Sequence, residues 1–179
     1  MVTRFLLSLI LCGAVSAAPK THHHKKIHFT LKSAKNGNWS DAKTWSPARL
    51  PKQGDRILIH RGHRVVYDSQ SKDVIRLIQV VGTLSFARDR STTLNVGVLK
   101  VQNSEECSES GFACDFLHAN AAGEPQAKPK GPMPTLDIGS PDSPIPSKFT
   151  ARIRLHYLEG MNKNDAPALA CCSGRLEIH

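Results

Sequence analysis

The sequence lacks a hydrophobic run long enough to cross a bilayer and lacks a helical hydrophobic period longer than about two turns. The apolar run at residues 5–15 is too short to span, which excludes a multispanning membrane protein. Nucleophile elbows, phosphate loops and dinucleotide fingerprints are also missing, so no cofactor or metal is predicted. What remains is a basic chain of 179 residues, with 24 lysines and arginines against 15 aspartates and glutamates.

The N-terminus has the pattern of a secretory signal peptide. Arg4 precedes the apolar run, and Val15 and Ala17 place small residues at the −3 and −1 positions of a cleavage site. We therefore expect residues 1–17 to be removed and the protein to be secreted, although a short N-terminal core strand or helix is the alternative. Residues 18–26 read as a flexible basic lead-in. This lead-in contributes three of the nine net positive charges, so the charge is weak evidence for a nucleic-acid partner and none is predicted.

Export changes how the cysteines are interpreted. Four remain after residue 17, an even number that suits an oxidising compartment. Cys107 and Cys114 bracket a short polar loop, which predicts a disulfide between them. The adjacent Cys171 and Cys172 can each bond elsewhere or both stay reduced. Zinc binding is the competing interpretation, but the spacing lacks the matched pairs of structural zinc sites.

The body of the chain, residues 27–179, reads as one domain of short strands separated by turn residues. The runs at residues 56–60 and 64–68 flank a tight connection and predict a β-hairpin or a β-arc. Residues 74–81 are almost continuously apolar, which indicates burial on both faces.

A short motif recurs in which glycine precedes an alternating leucine strand. It occurs at residues 82–86, 97–101 and 174–178, and without the glycine at 135–138. Leucine and its second neighbour face one way in a strand, and glycine permits a tight corner. The motif predicts an all-β fold of stacked short strands, resembling a β-helix or β-solenoid or forming a sandwich. The 15 residues from Leu84 to Leu99 are expected to form about one coil.

Two segments interrupt the strands and are expected to be surface loops. Residues 104–133 form a polar insertion that holds the first cysteine pair, and residues 156–170 form a second loop. The last motif ends at His179, where a solenoid would leave an open β-edge. We expect either a longer protein or a partner that covers this strand.

Candidate catalytic residues are few. Asp55, His60, His63 and Asp68 cluster around the predicted β-arc, and two carboxylates at one end of it could hydrolyse a glycosidic bond. The alternative interpretation is structural, because aspartates at turns commonly accept hydrogen bonds from nearby backbone.

The most distinctive stretch contains two tryptophans. Trp39 and Trp45 are framed by turn residues and are expected to cap the end of the β-stack. If they are exposed, their rings could instead stack on sugar rings, and His63 would be a third residue of that binding site. Asn38 begins a sequon, Asn38-Trp39-Ser40, which predicts N-glycosylation in a host that modifies secreted chains.

These residues carry a resemblance to a known family. The chain resembles the G8 domain, a secreted β-rich module, from about Lys32 to His179, although the cysteine insertion departs from the usual pattern. The likeness rests on Asn38-Trp39-Ser40-Asp41 with Thr44-Trp45, on residues 51–59, 62–68 and 81–86, and on residues 136–140, 151–155 and 174–179.

The resemblance implies a fold and a class of ligand. Family members usually place this module before a long right-handed parallel β-helix, which this chain lacks. Some animal relatives bind or depolymerise hyaluronan, and acidic positions of the module are linked to that activity. Asp55 and Asp68 match those positions by their place in the glycine-aspartate turn and the following strand. We expect a module that binds acidic polysaccharide, or alternatively the first part of a polysaccharide-degrading enzyme.

Overall fold

The computed structural model describes residues 27–105, 107–111 and 131–179. The predicted signal peptide and lead-in (residues 1–26) lie outside the described residues, as does Cys114. Within the described ranges, no helix is long and apolar enough to cross a membrane.

The described residues form twelve strands and one short 3-10 helix, Ala42–Thr44, so the predicted all-β class is confirmed. The strands are β1 (Leu31–Ser33), β2 (Gly37–Asn38), β3 (Trp45–Ser46), β4 (Arg56–Ile59), β5 (Arg64–Tyr67), β6 (Gln70–Val80), β7 (Thr83–Phe86), β8 (Thr92–Gln102), β9 (Thr135–Ile138), β10 (Ala151–Leu155), β11 (Ala168–Cys172) and β12 (Arg175–Ile178). Strand β11 begins within the range 156–170 that was predicted as a loop.

The strands belong to two sheets that alternate along the chain. Sheet A has the order β10-β8-β6-β4-β1-β3, with β11 also paired to β8, and sheet B has the order β12-β9-β7-β5-β2. All named pairs are parallel except β1 with β3. Each coil therefore runs along sheet A and then along sheet B. Because β4 and β5 lie in different sheets, their connection is a β-arc and not a hairpin.

The coil is longer than the motif predicts. Parallel register joins Val65 to Leu84 in sheet B and Ile78 to Leu99 in sheet A. One coil therefore takes 19 to 21 residues along the chain. Leu84 and Leu99 lie in opposite sheets, so the predicted 15-residue coil is wrong. Three of the motif leucines do share one column of sheet B, in which Leu84 pairs with Leu136 and Leu136 with Leu176.

The main core lies between the two sheets, and a smaller one covers the outer face of sheet A. Ile75, Ile78 and Val80 of β6 enter the main core, whereas Leu77 enters the smaller one. The predicted burial of this strand on both faces is thus confirmed. Because Ile75 and Ile78 point inward with two residues between them, β6 bends at that point.

The neighbouring strands repeat this bend. In β8, Val96 and Leu99 both enter the main core, with Gly97 between them. Met161, in the loop between β10 and β11, lies against Gly97, and a Cβ at position 97 would also lie 2.7 Å from the Arg76 carbonyl oxygen. The missing side chain of Gly97 therefore allows this loop to close over the corner.

Candidate functional site

Asp55 lies immediately before β4 and is only 4% exposed. Arg49 donates to both carboxylate oxygens, at 2.6 and 2.8 Å. The Thr30 hydroxyl and the Lys52 backbone N–H each donate at 2.8 Å. Burial alone would raise the pKa of Asp55, but these hydrogen bonds outweigh it and hold the pKa below its ordinary value. The ionised Asp55 side chain thus links three segments of the chain, those of Thr30, Arg49 and Lys52.

Asp68 lies directly after β5, in the other sheet. Its carboxylate accepts from the Ser40 backbone N–H at 3.1 Å and from the Ser40 hydroxyl at 2.6 Å. Ser69 donates a longer bond of 3.4 Å. Asp55 and Asp68 therefore have separate sets of donors, and Asp68 links the end of β5 to Ser40, 28 residues earlier in the chain.

The two tryptophans lie inside the molecule. Trp39 and Trp45 are 4% and 2% exposed, and their rings meet edge to face at 5.0 Å. The Trp45 indole N–H donates to the Trp39 carbonyl oxygen, and Tyr67 and Phe86 extend the aromatic group along the core. Buried rings offer no face to a sugar. The burial therefore agrees with a cap over the end of the stack and argues against sugar stacking.

His63 belongs to the arc between β4 and β5. Its Nδ1 lies 2.9 Å from the Ser33 hydroxyl oxygen, which also accepts from the His60 backbone N–H. The His60 ring nitrogen lies 2.8 Å from a Glu105 carboxylate oxygen. These bonds attach the arc to β1 through Ser33. In the part of the chain that the structure describes, no group of three His, Cys, Asp or Glu residues could hold a metal ion.

The remaining predicted residues lie apart from this arc. Cys107 is buried in the smaller core as a thiol that donates to the Ser108 carbonyl oxygen, so the predicted disulfide between Cys107 and Cys114 is wrong. Cys114 itself lies outside the described residues. No disulfide joins two cysteines within the described ranges, and Cys171 is an exposed thiol. Asn38 is exposed on β2, the edge strand of sheet B.

A cleft of about 660 Å³ lies over the outer face of sheet A. Glu109 accepts from Arg56 and, through three hydrogen bonds of 2.8 to 3.0 Å, from Arg76. Burial raises the Glu109 pKa, but the two arginines lower it more, and the pKa lies below its usual range. Both guanidinium groups in this cleft therefore pair with the single carboxylate of Glu109.

Most of the other described arginines also pair with a carboxylate. Seven of the ten described arginines form an ion pair with a carboxylate, and the Arg61 guanidinium donates to the Asn103 carbonyl oxygen. On sheet B, Arg64 and Arg88 both pair with Asp137, which is buried. The seven are Arg49, Arg56, Arg64, Arg76, Arg88, Arg90 and Arg175.

Arg152 and Arg154 on β10 are different. Both are exposed, and neither has an ion pair or a hydrogen bond within the described residues. The alternation of residues 149–155 indicates which residues of this strand face outward. It does not reveal which arginines lack a carboxylate, because that depends on strands distant in sequence.

Comparison with known proteins gives one match. No curated protein and no solved structure matches the chain. The family model described as "G8 domain" matches residues 44–179, which include every strand from β3 to β12. On this match, which spans more than half of its length, the chain belongs to the G8 domain family.

Proposed function

We propose that this chain is an extracellular β module that closes the first end of a longer parallel β-stack and binds acidic polysaccharide. One column of sheet B carries the first part of the proposal. Val65, Leu84 and Leu136 are fully buried, whereas Leu176, next in the column, is 42% exposed. Ile178 on the same strand is 61% exposed. Apolar side chains at inward positions are expected to be covered by a further coil.

At the opposite end of the stack, the inward apolar residues Leu31, Trp39 and Trp45 are buried. Strand β3, which begins at Trp45, runs antiparallel to β1 at the edge of sheet A. The side chains of Trp39 and Trp45 pack in the main core at this end. An antiparallel strand interrupts the parallel coil pattern, and the tryptophans shield the core from water. This asymmetry supports a role as a terminal cap, with further coils supplied by the same polypeptide or by a partner.

Amide hydrogen exchange of the secreted, full-length gene product tests the cap. If a further coil covers the last one, the amides of β12 exchange as slowly as those of β9. Fast exchange in β12 beside slow exchange in β9 would leave the last coil uncovered and contradict the cap.

Export and processing are part of the proposal. G8 domains are typically extracellular, and residues 1–17 have the pattern of a signal peptide. Mass spectrometry of protein collected from the culture medium of a eukaryotic host is expected to find an N-terminus at residue 18. It is also expected to find a glycan on Asn38.

The polysaccharide part rests on charge. The net charge is +9, or +8 once residues 1–17 with Arg4 are removed, and two exposed arginines on β10 have no carboxylate partner within the described residues. Exposed cations attract polyanions through contacts that weaken as ionic strength rises. We expect hyaluronan or chondroitin sulfate to retard the purified protein in affinity electrophoresis at low salt, and dextran to have no effect. Equal mobility in all three polymers would contradict polysaccharide binding without affecting the proposal that the module caps a longer stack.

A polysaccharide-degrading enzyme is the second candidate, with Asp55 and Asp68 as its carboxylates. Both already accept several hydrogen bonds, which favours a structural role for each. Incubation with hyaluronan followed by size analysis separates the candidates. Depolymerisation that is lost in Asp68→Asn, with thermal unfolding unchanged, would support the enzyme. An unchanged polymer length supports the binding module.

A further inference from the structure

The outer face of β10 carries an exposed row of cations. Ala151 and Ile153 pack against the main core, so the alternate residues Arg152 and Arg154 point away from it. Two residues along a strand separate the Cα atoms of the arginines by about 7 Å. His156 follows two residues later, and its backbone N–H still donates to the Val96 carbonyl oxygen, which continues the strand pattern.

The surroundings of this row are polar and fixed. Arg152 pairs in register with Thr93, and Arg154 with Asn95. The Asn95 amide nitrogen donates to the Ser71 carbonyl oxygen at 2.7 Å, which leaves its amide oxygen facing His156 Nε2 at 2.8 Å. Nε2 must therefore carry the proton, and the His156 ring is held in place beside Arg154. The neighbouring side chains are those of Thr93, Asn95 and His156, and no carboxylate within the described residues pairs with either arginine, so the two arginine charges remain unmatched.

We propose that Arg152 and Arg154 form a binding site for a sulfated acidic polysaccharide; this rests on the proposed binding function and names its site and preferred ligand. Guanidinium groups bind sulfate and carboxylate oxygens through paired N–H donors. Hyaluronan has one carboxylate in each disaccharide. A sulfated polymer adds a second anionic group to the same unit, which brings neighbouring charges within reach of both arginines at once.

A simpler role for the same residues is protection of a sheet edge. β10 lies at the edge of sheet A, where it pairs with β8, and charged side chains on edge strands discourage pairing with other molecules. This role predicts aggregation when the arginines are removed and no selective loss of polysaccharide binding. The two roles therefore differ in a measurable way.

The experiment compares two double variants of the secreted protein. R152Q/R154Q removes the unmatched pair, and R90Q/R175Q removes two exposed arginines that already have carboxylate partners. Both variants lose the same formal charge. Dissociation constants are measured for chondroitin sulfate and hyaluronan of equal chain length at about 0.05 and 0.15 M NaCl. Thermal unfolding and sedimentation of each variant report folding and aggregation.

We expect the wild type to bind chondroitin sulfate more tightly than hyaluronan. In R152Q/R154Q the dissociation constant for chondroitin sulfate rises about tenfold, with a smaller rise for hyaluronan and a reduced salt dependence. In R90Q/R175Q it rises less than about threefold.

Several outcomes would overturn the assignment. Equal losses in the two variants would make binding a matter of net charge and leave only the general polysaccharide proposal. Aggregation of R152Q/R154Q with unchanged affinity would establish edge protection. Equal or tighter binding to a DNA duplex, or to vesicles containing anionic lipid, would show that the row does not select a sulfated glycan.

Discussion

The interior coils and the last coil follow the same pattern but differ in burial. Leu136 of β9 and Leu176 of β12 are paired residues of one column, and each is the leucine of the recurring motif. Leu136 is fully buried, whereas Leu176 is 42% exposed. The residue type and the strand position are the same, so the difference lies in whether another coil packs on the outside. Burial in this fold is a property of neighbouring coils more than of the local sequence.

The largest expected contrast lies between the two ends of the stack. Trp45→Ala removes a ring that is 2% exposed and is expected to lower the free energy of unfolding by about 3–5 kcal/mol. Ile178→Ala removes a side chain that is 61% exposed and is expected to cost less than about 1 kcal/mol. Urea denaturation measures both. Similar losses in the two variants would contradict the assignment of a closed and an open end.

A matched pair within one column sharpens the comparison. We expect Leu136→Ala to cost about 3 kcal/mol and Leu176→Ala about 1 kcal/mol, because the first leaves a cavity and the second a solvated surface. If a further coil covers β12 in the complete protein, the cost of Leu176→Ala in that protein is expected to approach that of Leu136→Ala. Chemical denaturation of both variants in both proteins provides the measurement.

The two ends of the stack are also expected to differ in how much their ion pairs contribute to stability. Asp55→Asn weakens a buried carboxylate network at the first end and is expected to cost about 2–3 kcal/mol. Glu177→Gln removes a 3.0 Å pair with Arg175, whose side chain is 59% exposed, and is expected to cost less than about 0.5 kcal/mol. Thermal unfolding at neutral pH separates these values, and a reversed order would show that the Asp55 network contributes little.

The pH dependence of stability should follow the same carboxylates. The pKa values of Asp55 and Glu109 are lower in the folded protein than their ordinary values. Their contribution is therefore complete above the unfolded-state pKa and is lost as pH falls through the lower folded-state values. We expect the free energy of unfolding to decrease below about pH 4, and Asp55→Asn to flatten that decrease. An unchanged slope in the variant would assign the acid sensitivity to other groups.

Local sequence patterns predicted many of the strands, although β11 begins inside a segment that was predicted as a loop. Alternating leucines and turn glycines depend on the strand period and on backbone freedom, which are local properties. They predicted the all-β class, and the column that joins Leu84, Leu136 and Leu176 agrees with the stacked arrangement. The coil length was wrong because the motif marks strands of either sheet, so that Leu84 and Leu99 face each other across the core.

The candidate site was harder to predict because it depends on distant pairs. Asp137 meets Arg64 across 73 residues of sequence, and the bonds between Arg76 and Glu109 cross 33 residues. No local pattern indicates that Arg64 is matched in this way while Arg154 is not. The two tryptophans carried an ambiguous signal for the same reason, since capping and sugar stacking require the same residue type and differ only in exposure.

The parallel stacking of coils gives the molecule a direction of unfolding. Each strand of sheet B pairs only with the coil before it and the coil after it, so stability accumulates from neighbour to neighbour. Within the described residues β12 pairs only with β9, and its inward side chains Leu176 and Ile178 are exposed, so β12 is expected to lose its hydrogen bonds before β9. The described domain is therefore expected to unfold from β12 towards the end that the tryptophans close, and a partner or further coil that packs on β12 would stabilise the whole stack.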